Sequence, residues 1–173
     1  LNDFDIEEYN PELFIINNNT GIVLTEPQRI NLKDSVFYAG DYKIQILKFY
    51  KYAYKKEKIF IKSENTGSFP AVLVNINNIK KGWVAANNII SGPQSLKIDD
   101  TKSLVMQKAK PKRFFSDITV YTKNQKIKKS VLEVNKPLNI NGWKIYRTNY
   151  NKRLGKWSDY SVFTLIKDPW LIL

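Results

Sequence analysis

The chain consists of short apolar runs in which polar and apolar residues alternate, and these runs are separated by turns rich in Gly, Pro and Asn. It contains no stretch of ten or more residues with the apolar spacing of a helix. Alternation at a period of two is typical of strands with one buried face, and short strands separated by turns favour antiparallel sheets. We therefore predict an all-β fold, a mostly antiparallel β-sandwich or distorted barrel with little helix.

The longest alternating segment is AGDYKIQILKFYKYAYKKEKIFIKS, at residues 39–63. Its apolar phase slips at Leu47 and Lys48 and then returns, which predicts a bulge or bend in one long strand. The charged residues 55–58 predict a turn into a second strand. The interleaved Tyr and Lys residues fit a half-buried strand with its lysines in solvent, and they also fit a strand that stacks on nucleic-acid bases.

Four other segments carry strand and turn predictions. The run LFIINNNTGIVLTEP predicts a hairpin with Gly21 near its bend. Residues 71–76 predict a strand that is followed by a turn at Lys81 and Gly82. A basic, Pro-containing link at residues 108–113 joins two further strands. Residues 160–166 are apolar on both faces, which predicts a central strand.

Length and charge bound the domain organisation. A chain of 173 residues with 43% hydrophobic residues and no internal repeat or linker predicts one domain. Its net charge is +12, yet residues 1–14 hold five of the 16 acidic residues and no basic one. The basic body attracts polyanions or anionic lipids, although a Lys- and Asn-rich composition also arises without selection for binding. The acidic segment 1–14 has the opposite sign, so we expect it to pack on the basic body in cis.

The composition excludes several kinds of chemistry. Without His or Cys, the chain cannot build a Ser-His-Asp or Cys-His arrangement or a disulfide. It has no Gly-rich phosphate loop and no spaced acidic loop for a hard cation. The doublet Asp99-Asp100 is typical of a surface turn rather than of a pair of catalytic carboxylates. We predict no catalytic and no metal-binding residue, hence an accessory module and not an enzyme.

Residues 110–170 carry an ordered set of short motifs. They are FxSD before a predicted strand at 118–121, VNxPL after a strand at 131–135, Asn-Gly before a returning strand at 143–150, and Asp-Pro at the end. The motif positions are Phe114, Ser116, Asp117, Val134, Asn135, Pro137, Gly142, Tyr146, Asp168 and Pro169.

Each motif has a structural interpretation. Pro137 lacks a backbone donor and ends the preceding strand, and Asn135 can bond its own backbone at that bend. The pair Asn141-Gly142 predicts a hairpin with an antiparallel return. Ser116 and Asp117 can tie the entry of the next strand. These roles predict scaffold positions rather than ligand contacts.

The order and spacing of these motifs resemble the extracytoplasmic domain of ResB-like cytochrome c biogenesis proteins of System II, best over residues 110–170. The resemblance implies a single domain at 1–173 on the periplasmic face of a bacterial inner membrane, between membrane helices outside this chain. It implies a scaffold for haem delivery and covalent haem attachment to apocytochrome c, together with a CcsA-type partner that is fused or separate. It also implies that the full complex handles haem and that this domain alone binds no cofactor.

Four aromatic residues near lysine-rich turns are candidates for partner contact: Trp83, Trp143, Tyr150 and Trp157. Two alternative functions remain open at this stage. The basic body with its Tyr and Lys strands fits a nucleic-acid-binding β-barrel, although we do not expect nucleic acid to be the partner. The residues Trp83, Trp143 and Trp157 fit stacking platforms of a carbohydrate-binding β-sandwich, although Trp in β-proteins more often lies in a core or interface.

Overall fold

The computed structural model describes residues 3–86, 92–124 and 127–167, and these residues form an all-β structure. Every strand pairing among them is antiparallel, and their one helical element is a single 3₁₀ turn at Gly155–Trp157. None of the sheets that they form closes into a barrel. The prediction of an all-β fold with little helix is confirmed, and the architecture is sandwich-like.

Fifteen strands lie within the described residues. In chain order they are β1 (Asp3–Glu8), β2 (Glu12–Asn17), β3 (Gln28–Arg29), β4 (Val36–Ala39), β5 (Tyr42–Lys56), β6 (Ile59–Lys62), β7 (Phe69–Ile76), β8 (Lys80–Ala85), β9 (Leu96–Lys97), β10 (Lys102–Met106), β11 (Pro111–Tyr121), β12 (Ile127–Glu133), β13 (Leu138–Ile140), β14 (Trp143–Tyr150) and β15 (Ser161–Lys167).

The strands belong to two compact units. The continuous unit spans Tyr9–Lys110, and the discontinuous unit combines Leu1–Glu8 with Pro111–Leu173. The first strand of the chain therefore belongs to the same unit as the last five. That the two units behave together as one domain stays a prediction.

The continuous unit contains two sheets, ordered β3-β2-β10-β9 and β4-β5-β7-β8, with β6 paired to β5. Alternation along β2 buries Leu13 and Ile15 on one face. The central strand β7 is buried along most of its length, as expected for a strand covered on both faces. Buried side chains from both sheets form one core: Leu13, Ile15, Ile30, Ala39, Ile44, Val72, Val74, Ile76, Val84, Ala86, Leu104 and Met106.

The long strand β5 confirms the predicted bulge. Its register against β7 shifts between Ile46 and Lys48, where the apolar phase slips in the sequence, and shifts again between Tyr50 and Ala53. An extra residue in one strand bends it and changes which side chains face the core. The predicted charged turn is also confirmed, because Glu57 has a φ of 55° and connects β5 to β6.

The predicted turn at Lys81 and Gly82 is wrong, because both residues lie inside β8. The chain turns earlier, at Asn77 and Asn78, which have φ angles of 50° and 57°. Asn tolerates the left-handed region better than most residues. Gly82 has another role: a Cβ at this position would overlap Cδ1 of Leu96, so the glycine leaves room for the Leu96 side chain of β9 to pack against β8.

The discontinuous unit contains two three-stranded sheets, ordered β1-β11-β12 and β13-β14-β15. Ile118, Leu132 and Ile145 are buried between them, and Val120, Leu138, Ile140 and Phe163 pack against this cluster. The acidic N-terminus packs in cis as expected. Residues 3–8 of this segment form β1. Glu7 forms an ion pair with Lys112 at 2.6 Å, and Asp5 forms one with Lys156 at 3.7 Å.

Two boundary predictions in this unit need correction. The motif residues Phe114, Ser116 and Asp117 lie inside β11 and not before a strand, because β1 and β12 pair with β11 on both sides along this stretch. The strand β12 ends at Glu133, before Pro137. It ends at a turn in which Asn135 adopts a φ of 63°, so the Asn turn and not the missing donor of Pro137 stops it.

The sequence predicts that β15 is a central strand, and this prediction is wrong. Among the described residues it pairs with β14 alone and is an edge strand of its sheet. Leu165 and Ile166 point to opposite faces and are both exposed. Apolar residues on both faces therefore do not guarantee neighbours on both sides, because strand order is decided by long-range pairing.

Candidate functional site

The strand β14 carries a buried charge in the discontinuous unit. Alternation places Arg147 on the same face as the core residue Ile145, and Arg147 is only 8% exposed. The register of β14 against β15 shifts between Arg147 and Asn149. This bulge at Thr148 changes the phase of the strand, so that Tyr150 joins Arg147 on one side.

Three aromatic rings surround the guanidinium of Arg147. Its Cζ lies 4.6 Å from the ring centroid of Phe4, 5.1 Å from that of Tyr150 and 5.4 Å from that of Phe114. The Phe4 and Tyr150 rings stack on each other at 5.3 Å, and Phe114 meets Tyr150 at 5.5 Å. We call Arg147, Phe4, Phe114 and Tyr150 the Arg147 cage. The attraction of a cation for ring faces stabilises this arrangement.

Two donors of this guanidinium have no acceptor. Among the residues that the structure describes, nothing accepts a hydrogen bond from Nε or Nη2 of Arg147, and both atoms are buried. The carboxylates of Asp5 and Glu7 do not fill this role, because these two residues alternate with Phe4 and point to the other face. They pair instead with Lys156 and Lys112. A buried donor without an acceptor is rare and costs free energy.

The electrostatic environment follows from this burial. Burial lowers the pKa of the Arg147 guanidinium below its ordinary value, and the interaction with Tyr150 opposes this change. A guanidinium nevertheless stays protonated in proteins. The cage thus holds a full positive charge between apolar walls.

A second polar feature lies on the strand that supplies Phe114. Ser116 is fully buried in the centre of β11, and its Oγ lies 3.3 Å from Oγ of Ser161 in β15. Through this contact the two sheets of the unit share a hydrogen bond inside an otherwise apolar interior. One hydroxyl donates to the other, which gives the buried Ser116 the partner that buried polar groups require.

The continuous unit has a different charged cluster. Glu12 accepts hydrogen bonds from Arg29 at 2.8 Å and from Lys110 at 3.1 Å. These bonds lower the pKa of Glu12, first through Lys110 and then through Arg29, while burial works in the opposite direction. Arg29 also lies 4.6 Å over the Tyr9 ring. Every charge in this cluster has a partner, so the cluster is a structural network of ion pairs.

The four predicted partner-contact residues do not form one site. Trp83 belongs to the continuous unit, where it stacks on Tyr50 at 5.7 Å and packs against Phe60 at 5.2 Å. In the discontinuous unit, Trp157 lies in the 3₁₀ turn beneath Lys156, and Trp143 begins β14 and is 39% exposed. Tyr150 is one wall of the Arg147 cage. Contact of any of the four with a partner stays a prediction.

The predicted scaffold positions lie at defined places in the discontinuous unit. Phe114 and Ser116 line the interior side of β11, whereas Asp117 points the other way. Tyr146 lies in β14 opposite Thr164. Gly142 and Asn141 have φ angles of 74° and 48° and connect β13 to β14, which confirms the predicted hairpin.

The remaining motif positions lie just before the β13–β14 hairpin or outside the described residues. Val134 is exposed at the turn with Asn135, and Pro137 follows the single bridge between Glu133 and Lys136. Asp168 and Pro169 lie outside the described residues. A scaffold role for any of these residues stays a prediction.

Sequence reasoning missed Arg147 and Phe4, the two most buried members of the cage. A signal for Arg147 exists in GWKIYRTNY: the arginine occupies the phase of Trp143 and Ile145, where a strand with one buried face carries apolar residues. For Phe4 the alternation with Asp5 and Ile6 indicates an inward position. No local signal indicates that β1 and β14 meet.

Two searches of the described residues complete the survey of this chain. Within residues 3–86, 92–124 and 127–167, no group of three or more acidic side chains is placed to hold a metal ion. Over the same ranges, no helix has the length and apolar character needed to cross a membrane.

Comparison with known proteins gives one match. No curated protein matches the chain. The model of the ResB-like family matches residues 45–164, which covers most of β5 through most of β15 and therefore strands of both units. This match includes the motifs at 114–146 and extends well upstream of them. The chain belongs to the ResB-like family, whose members are accessory components of cytochrome c biogenesis.

Proposed function

We propose that this chain is the outer-face domain of a ResB-type protein at the periplasmic side of a bacterial inner membrane. In this role it scaffolds haem delivery and covalent haem attachment to apocytochrome c, together with a CcsA-type membrane partner. The observation that carries the proposal is the family match over residues 45–164. The composition supports a scaffold, because a chain without His or Cys supplies neither imidazole nor thiol to the attachment reaction.

The proposal assigns the partner-facing surface to exposed aromatic side chains of the discontinuous unit. Trp143 is the exposed member of the predicted contact set, and it begins β14 next to the edge strand β15. Large exposed apolar side chains mark interaction surfaces when they cluster. Here Trp143 is accompanied by the exposed Leu165 of β15, which lies on the same face because it pairs with Ile145.

The function is tested by depleting the full-length protein in its host and staining c-type cytochromes for covalent haem. We expect the haem stain to fall while apocytochrome is still exported and b-type haem proteins keep their haem. Normal covalent haem in depleted cells would refute the proposed role. A reporter fused to this segment would separately show whether it lies outside the inner membrane.

The contact surface is tested by capture of the CcsA-type partner with a tagged full-length protein in detergent. Trp143→Ser should lower capture severalfold without changing expression, because it removes an exposed aromatic anchor. The matched control is Tyr121→Ser, since Tyr121 is an exposed aromatic of the same unit, on β11. Equal capture by both variants would remove Trp143 from the contact surface.

A further inference from the structure

The unfilled donors of Arg147 form a single recognition element. Nε–H and Nη2–H lie side by side on one edge of a guanidinium and point in the same direction. These are the two atoms of Arg147 that lack an acceptor among the described residues. A fork of two parallel donors matches the two oxygens of one carboxylate. The chain therefore presents a complete bidentate fork of the kind that binds a carboxylate.

We propose that the Arg147 cage is a binding site for a carboxylate carried on an apolar or aromatic body. The fork takes the two carboxylate oxygens, and Phe4, Phe114 and Tyr150 contact the body of the ligand. Among the three walls only Tyr150 carries a further donor, its single hydroxyl, for the additional oxygens of a phosphate, which favours the flat carboxylate. The site goes beyond the proposed function, and its test does not depend on cytochrome c biogenesis.

Access to the fork requires one wall to move, because Nε and Nη2 are both buried. Tyr150 is the wall at the end of a strand, and the bulge at Thr148 separates it from the regular part of β14. Phe4 and Phe114 lie within paired segments of β1 and β11 and are held by their neighbours. We therefore assign the opening of the site to a rotation of the Tyr150 side chain.

The test uses the full 173-residue chain, labelled with nitrogen-15 in its arginine side chains. The chain has four arginines, Arg29, Arg113, Arg147 and Arg153, so their Nε–H resonances are assigned by one Lys substitution each. Benzoate is the probe and benzamide is its uncharged isostere. We expect benzoate to shift the Arg147 resonance in a saturable way, while benzamide leaves it unchanged.

Arg147→Lys keeps the charge but removes the fork, so it should weaken benzoate binding at least tenfold. Arg153→Lys is the matched control, because Arg153 is an exposed arginine of the same unit, and it should bind benzoate as the wild type does. Benzoate binding that is equal in both variants, or an Arg147 resonance that benzoate never shifts, would overturn the proposal. If Arg147→Lys does not fold, the comparison of benzoate with benzamide on the wild-type chain decides by itself.

The carboxylate has two possible sources, a propionate of a porphyrin or a carboxylate of a peptide. Iron protoporphyrin in detergent is compared with its dimethyl ester, and a short apolar peptide with a free C-terminus is compared with its amide. A shift of the Arg147 resonance by the acid form of either pair supports the site and identifies its source. An Arg147 resonance that benzoate does not shift would overturn the site, even where covalent haem staining upholds the proposed function.

Discussion

Replacing Arg147 by Met should stabilise the discontinuous unit. Met has a similar length, fills irregular apolar space and contacts aromatic rings favourably through its sulfur. It needs no acceptor, whereas Nε and Nη2 of Arg147 are buried and have none among residues 3–86, 92–124 and 127–167. Replacing buried charges by apolar residues of similar volume is often neutral or stabilising.

The magnitude follows from the contacts of the guanidinium. Two buried charged donors without acceptors cost about 2 to 6 kcal/mol together. The three ring contacts return about 2 to 3 kcal/mol, which the substitution loses. A sulfur in the same cage recovers about 0.5 to 1 kcal/mol. At the midpoints of these ranges, we expect the unfolding free energy of the discontinuous unit to rise by about 2 kcal/mol.

Hydrogen exchange in low urea is the appropriate assay, because the chain has two units that can open separately. The amides of Leu132 and Ile145 lie in the core of the discontinuous unit and report its opening. The amide of Val74 reports the continuous unit and should not change. A rise in protection at Leu132 and Ile145 alone is the expected result.

Arg153→Met is the control for the loss of one positive charge, and it should change stability by less than about 0.5 kcal/mol because Arg153 is exposed. Destabilisation of the discontinuous unit by Arg147→Met would refute the reasoning, because it would mean that the guanidinium has stabilising partners. A stabilised variant that no longer binds benzoate would show that the buried charge is kept for binding at the expense of stability.

Three further predictions concern the turns, charges and strand order. Gly142→Ala should cost about 1 to 2 kcal/mol of stability, because it places a Cβ in the left-handed region at a φ of 74°. Glu12→Gln should reduce the loss of unfolding free energy that occurs at acidic pH. The pKa of Glu12 is lowered, chiefly by Lys110, from 4.5, so the wild type loses this contribution as pH falls below about that value and the variant does not. Deleting Leu1–Glu8 should unfold the discontinuous unit, because it removes two buried side chains of β1 worth about 1.5 to 3 kcal/mol each and leaves β11 paired on one side only, with β12.

Each of these predictions has a control and a contrary result. Gly92→Ala places a Cβ in open space at an ordinary φ, so an equal loss in both glycine variants would contradict the turn argument. Glu64→Gln changes an exposed acid. If this variant altered the pH dependence of stability as much as Glu12→Gln does, the stabilising role of the Glu12 ion pairs would be contradicted. Retained exchange protection at Ile145 after the N-terminal deletion would show that β1 is dispensable.

Much of the fold could be predicted from local pattern. The alternation that defines the strands, the bulge at Leu47 and Lys48, and the hairpin at Gly142 each depend on side-chain phase or backbone preference within a few residues. Boundaries were predicted less well. The turn at Asn77 and Asn78 was missed because a glycine nearby gave a stronger turn signal, although that glycine serves close packing between strands.

The family was also within reach of the sequence, because the order of motifs over residues 110–170 already indicated it and the match extends to residues 45–164. The candidate site was only partly predictable. Phe114 was singled out as a motif position and Tyr150 as a candidate for partner contact, whereas the charge that they enclose was not singled out. An arginine at a position where the alternation predicts a buried apolar residue is unusual, but the sequence does not show which rings surround it.

The sequence by itself determined that this chain forms antiparallel strands without His or Cys chemistry, and that it belongs to the ResB-like family. Only the tertiary structure decided that β1 pairs with β11 and that Phe4 meets Arg147 and Tyr150. It also made the apolar β15 an edge strand. The physical reason is that strand phase depends on neighbouring residues, whereas strand pairing joins segments more than a hundred residues apart through contacts that no local preference encodes.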